Sequence, residues 1–220
     1  VDAGLRRELA EKARAGARLS REDGVALYGS GDLAWLGGLA HEARTRRHGE
    51  RGYFAAGPGP GPGPADEADA VAAVTVTYGE EPAEQIAAQI VDTILEVRDR
   101  QDAGAGLLAV APLAAGRVTG AEVLKTFAVA RLLLDNVAHV RVAWPAYGTQ
   151  TAQLALQHGA DDFAPAPGAP APDPLPAGEL VDLIQDAGLR PVERDARYAA
   201  VREHEGPDPE RREAPQPMRF

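Results

Sequence analysis

From Asp32 onward, Leu33, Leu36, Ala40 and Ala43 recur at helical spacing, while Glu42, Arg44 and Arg46 fall elsewhere. That pattern predicts an amphipathic helix with one face for a core. Just upstream, Ser20-Arg21-Glu22-Asp23 has the form of a capping box, in which Ser20 accepts from the amide three residues on. The first fifty or so residues therefore read as helices. The pattern then breaks at Gly57–Pro64, four Gly-Pro pairs followed by the acidic, alanine-rich Asp66–Asp69. Proline removes amide donors and glycine adds backbone freedom, so Ala55–Ala70 reads as a linker.

After the linker the pattern becomes regular. Val71–Tyr78 is a β-branched run that stops at Gly79, as a strand would. Pro82 suits the first turn of a helix, and Ile86, Ile90, Ile94 and Val97 form an apolar stripe ending near Gly104. Gly106–Leu113 is continuously apolar, as expected of a strand covered on both faces. Thr119-Gly120-Ala121-Glu122 is a second capping box, opening a helix that carries Leu124, Phe127 and Leu132. His139–Trp144 reads as a strand, Thr149–His158 as a helix and Ala160–Phe163 as a short strand. A Pro/Ala/Gly loop, Ala164–Gly178, leads to a last helix, Glu179–Ala187, that stops at Gly188.

Alternating strands and helices imply a parallel α/β fold. The expectation is a partial (β/α) barrel of about four parallel strand-helix units, preceded by N-terminal helices. The chain divides into an N-terminal helical segment (1–54), a linker (55–70), the half-barrel (71–204) and an extended tail (205–220).

Ligands of parallel α/β folds sit at the carboxyl ends of the strands. That rule selects Tyr78 and Glu80 after the first strand, Trp144 after the third, and Asp161 and Asp162 at the fourth. Arg131, alone in an apolar helix, could hold a carboxylate or phosphate bidentately, or pair with Glu122 or Asp135 at the helix surface. Glu193 and Arg194 alternate in charge beside Tyr198 and suit a ligand or a local ion-pair network. These eight residues are candidates for binding; none is placed as a catalytic group. The five histidines show no metal-site spacing, so no metal centre is expected. His41 and His48 are seven apart and could share a helix face, but no carboxylate completes an obvious site with them.

Composition removes several classes of function. A net charge of −10 disfavours nucleic acid, because phosphate backbones reward clustered Lys and Arg. No apolar run is long enough to span a membrane, and Val1-Asp2-Ala3-Gly4 has no signal-peptide pattern, so a cytoplasmic protein is expected. There is no cysteine, which excludes disulfides, thiolate catalysis and cysteine-held metal clusters.

The segment TGAEVLKTFAVARLLLDNVAHVRVAWPAYGTQTAQLALQHGADD, Thr119–Asp162, resembles the last third of the aminofutalosine synthase family. So do Pro191–Tyr198 (PVERDARY), Glu205–Phe220 (EGPDPERREAPQPMRF) and Leu5–Glu50. That resemblance implies a radical S-adenosylmethionine (radical-SAM) transferase of the futalosine route to menaquinone, with a CxxxCxxC loop holding a [4Fe–4S] cluster. The linker falls about where the family's first barrel strands and cluster loop belong, as a large internal deletion would leave it. Tyr78-Gly79-Glu80-Glu81 lacks the family's imidazole, and the residues after Asp162 become a Pro/Ala run with few side-chain donors or acceptors. The expectation is thus a degenerate, non-catalytic relative with no cofactor, acting by protein or ligand binding. The alternatives are a transferase of the family type and a decayed fragment. A half-barrel leaves sheet edges and a face uncovered, so a homodimer or a complex with a full-length menaquinone-pathway enzyme is expected.

Overall fold

The fold is that of a computed structural model, which describes residues 2–55, 73–79, 83–167 and 175–207. Nearly all of the Gly-Pro linker, Glu80, and most of the C-terminal tail lie outside the described residues.

Three helices come first: α1 (Ala3–Arg14), α2 (Arg21–Tyr28) and α3 (Leu33–His48). Each starts on a side-chain cap, with Asp2, Ser20 and Asp32 accepting from Leu5, Asp23 and Trp35 amides. At Ser20 the box is reciprocal, because Asp23 also accepts from the Ser20 amide. On α3, Leu36 and Ala40 are fully buried, as the stripe predicts. Arg44 departs from it. Its guanidinium is buried and donates to the carbonyls of Arg51 (2.8 Å) and Gly49 (3.1 Å). It thereby pins the turn that leaves α3 for the next element.

That element is a strand, β1 (Arg51–Phe54), inside the segment the sequence pattern reads as helical. It is followed by β2 (Ala73–Tyr78), α4 (Ala83–Asp102), β3 (Ala109–Ala114) and α5 (Gly120–Leu133). Then come β4 (His139–Val142), a one-turn α6 (Trp144–Tyr147), α7 (Thr149–Leu156) and β5 (Asp162–Phe163). The described chain closes with α8 (Ala177–Asp186), β6 (Arg190–Arg194) and β7 (Ala200–Glu203). The α4 stripe of Ile86, Ile90, Ile94 and Val97 is buried, and Thr119 and Glu122 form the predicted capping box of α5.

The strands form one seven-stranded sheet in the order β2-β3-β4-β5-β1-β6-β7. All pairings are parallel except β6 with β7, which is antiparallel with an irregularity between Glu193 and Arg194. The four strand-helix units are present, and the sheet is extended by β1, β6 and β7. Strand alternation divides the side chains between two faces. Val74, Val76, Tyr78, Val110, Val140, Val142, Phe163 and Phe54 share one face by register, and all but Val74 are buried. Gly52 lies on that face too; a Cβ there would stand 2.7 Å from Ile184 Cγ2 of α8, so glycine lets the helix close onto the strand. The opposite face carries Thr75, Thr77, Ala109, Ala111, His139, Arg141, Asp162, Tyr53 and Arg194. Leu113 and Val192 also lie on it, but most of its positions are small or polar. Among the described residues only Leu154 and Val201 are exposed large hydrophobics.

Candidate functional site

The second face is polar because of Asp162, the first residue of β5, which is paired in register with Arg141 on one side and Tyr53 on the other. Arg194, on β6, meets its carboxylate with both Nε (3.0 Å) and Nη2 (2.7 and 2.9 Å). Arg141 Nε donates to Oδ2 at 2.7 Å, and so does the Tyr198 hydroxyl at 2.7 Å. Arg141 Nη2 donates to the Tyr198 oxygen at 2.8 Å, closing the ring of contacts. Burial alone would raise the Asp162 pKa; Arg194 and Arg141 more than reverse it, and the carboxylate stays ionised below the usual range. Burial pushes the Tyr198 phenol up, with the Asp162 charge adding to it. Tyr198 adopts φ +62°, left-handed backbone that a bulky residue rarely takes, and its ring lies under the Arg194 guanidinium at 4.2 Å.

A second network lies toward the amino ends of the strands, around Asp161. Arg131 reaches it from α5: Nη2 pairs with Asp161 Oδ1, Nε donates to Gly159 O (2.8 Å) and Nη1 to Ala138 O (3.0 Å). The Val140 amide donates to the same Oδ1 at 2.8 Å. Oδ2 faces two imidazoles, His139 Nδ1 at 2.6 Å and His48 Nε2 at 3.6 Å. His48 Nε2 also donates to Ala138 O at 2.9 Å. The rings of His48 and His139 stack at 4.9 Å, and His139 stacks on Tyr198 at 3.9 Å, which joins the two networks. Burial would raise the Asp161 pKa, but Arg131 and the two imidazoles hold it far below its ordinary value. Burial drags Arg131 down to about 10, still charged at neutral pH, and drags His48 down to about 4.

Both aspartates, Arg131 and Arg194 are thus engaged in buried networks. Arg131 does not pair at the surface with Glu122 or Asp135; it is wholly buried because its partner lies thirty residues on, in a different element. Asp161 lies before β5, at the amino end of the strand rather than on its carboxyl rim. Tyr78 turns its hydroxyl to Tyr147 (3.1 Å) on the helix-facing side of the sheet, away from Asp162. Trp144 starts α6 and packs partly buried against the core. Glu193 pairs in register with Phe54 and Arg202, one residue before Arg194 and on the other side of its strand. Arg141, Tyr198, His48 and His139 are the residues that sequence reasoning left off the site. The alternation of His139, Arg141 and Asp162 in parallel strands was the available signal for two of them.

A mostly parallel sheet backed by helices, with its polar groups on the face away from them, defines a TIM-barrel-like α/β fold. The FeFe-hydrogenase maturase HydG from Carboxydothermus hydrogenoformans shares this fold, with a TM-score of 0.57 and 11% identity over 88% of this chain and 80% of that one. Residues 100–206 match the family described as CofH/MqnC C-terminal region. Aminodeoxyfutalosine synthase of Streptomyces coelicolor is 32% identical in an alignment covering all of both chains. That alignment has 386 positions against the 220 residues here, so much of the relative is matched by gaps. Aminodeoxyfutalosine synthase of Thermus thermophilus is 39% identical over 93 residues, 38% of this chain and 25% of that one. The chain belongs to the aminodeoxyfutalosine synthase family.

Proposed function

We propose that this chain is a menaquinone-linked member of its family that works in the cytoplasm by binding a protein or ligand and performs no radical step. The observation that carries the reading is the state of the buried titratable groups in the two networks. Asp161 and Asp162 are held ionised by buried guanidiniums, and His48 is held neutral, so none of the three is poised to exchange a proton near neutral pH. The family's cluster needs thiolates, and a chain with no cysteine has no such donors. The residues present do not fit the cluster.

What the fold offers instead is surface. The outermost strands are β2 and β7, and among the described residues each pairs on one side only. A homodimer, or a complex with a full-length menaquinone-pathway enzyme, would use such edges. The transferase reading draws on the end-to-end match to the Streptomyces coelicolor enzyme.

One experiment separates the two. The purified chain is reconstituted anaerobically with iron and sulfide. It is then assayed by mass spectrometry for aminofutalosine from S-adenosylmethionine and the enolpyruvyl substrate, alone and mixed with the full-length synthase. A defined mixed complex in native mass spectrometry, with no product from the chain alone, supports binding. Turnover by the chain alone overturns the proposal.

A further inference from the structure

The Asp161 network leaves one cluster without a use in the proposed function. His48 ends α3, His139 starts β4 and Asp161 precedes β5, so three elements deliver two imidazoles and a carboxylate to one buried point. Each offers a ligand atom, and these atoms all lie within 4.8 Å of one another. We infer that His48, His139 and Asp161 form a binding site for one divalent transition-metal ion of the zinc class.

The donor set decides the class of ion. Two imidazoles with one carboxylate suit zinc and its neighbours, whereas magnesium and calcium demand mostly oxygen ligands. Three protein ligands leave a fourth tetrahedral position open.

The surroundings are those of a supported site. Asp161 Oδ1 is held by Arg131 and by the Val140 amide, which leaves Oδ2 turned toward both rings. Outer contacts of this kind orient a ligating carboxylate. Binding would displace two protons, the one His48 Nε2 donates to Ala138 O and the one shared by His139 Nδ1 and Asp161 Oδ2; the carbonyl keeps a second donor, Arg131 Nη1 at 3.0 Å, and Oδ2 takes the ion in place of the proton. The rings must part slightly, because His139 Nδ1 stands 2.6 Å from Oδ2, closer than two ligands of one ion sit. The positive charge of Arg131, one contact away, opposes the ion and sets the affinity below that of a site without it.

The test uses the intact chain after dialysis against a chelator. Zinc chloride is titrated calorimetrically, and cobalt(II) serves as the spectroscopic probe. The expected result is one ion per chain and the visible absorption of four-coordinate cobalt. Affinity should fall at least about tenfold in both His48→Gln and His139→Asn. His48→Gln keeps an amide donor for Ala138 O and so preserves the fold; circular dichroism checks each variant. His158→Ala removes an imidazole elsewhere, beside Gly37, and should leave uptake unchanged. Failure to take up one equivalent, or uptake that His48→Gln and His139→Asn leave intact, overturns the inference.

Discussion

Arg131 is a buried cation whose partner, Asp161, is buried too, and Arg131→Met isolates what the pair contributes to stability. The substitution keeps the aliphatic stem and removes the charge that faces Asp161. Both groups are buried, so the variant leaves a carboxylate inside the protein with the Val140 amide, His139 and, at 3.6 Å, His48 as its remaining partners. Removing one partner of a buried pair costs about 3–5 kcal/mol. For a chain of this size each kcal/mol moves the melting temperature by about 2–4 °C, so a drop of roughly 6–20 °C is expected. Urea titration followed by circular dichroism measures the free energy, and calorimetry the temperature.

The pH dependence supplies the stricter test. In the wild type the folded pKa of Asp161 is depressed. Its stabilisation is therefore present above the unfolded value, about 4, and is lost only as pH falls through the folded value. Without Arg131, burial dominates and the carboxylate protonates at higher pH. The gap between variant and wild type should thus begin to narrow as pH falls through the variant's raised pKa, above about 4, and go on narrowing toward the depressed wild-type value. Adding Asp161→Asn to Arg131→Met should recover part of the loss, since it removes the stranded charge. A gap under about 1 kcal/mol at pH 7, or one that does not change with pH, would refute the reasoning.

Three further results are expected. Gly159→Ala should destabilise by about 1–3 kcal/mol in urea titration, because φ is +103° and the new Cβ would stand 2.7 Å from Arg131 Cβ. Tyr198→Phe removes the hydroxyl shared by Asp162 and Arg141 and should cost about 1–3 kcal/mol by the same assay. His48 should titrate by proton NMR only near pH 4. Because the unfolded imidazole takes a proton below about 6.5, wild-type stability should fall between those two pH values more steeply than that of His48→Gln.

The elements with strong periodicity were legible from sequence: the Ser20 and Thr119 boxes, the α4 isoleucine stripe and the strands from Ala73 to Val142 all sit where the pattern puts them. The strands that escaped are short and carry charge. Arg51–Phe54, Arg190–Arg194 and Ala200–Glu203 have too few alternations to distinguish a strand from the end of a helix or a loop. The site was legible residue by residue and illegible as a constellation. Arg131, Asp162 and Arg194 stood out as charges in apolar or alternating company, yet only tertiary contact shows which partner each one takes. His48 and His139 are ninety-one positions apart, beyond the reach of any spacing rule.

The position of β1 has a consequence for how this molecule is made. Among the described residues, the strand that comes first in the chain occupies an interior place in the sheet, between two strands that follow it by more than a hundred residues. Arg51–Phe54 must therefore wait, unpaired, until synthesis has passed Phe163, and gains its second neighbour only after Arg194. Nor can the later portion finish without the earlier one, since a chain starting at β2 would hold β5 and β6 one strand apart. The two sides of the Gly-Pro run are in this sense a lock and its key on one thread. A nick between them should yield fragments that find each other again.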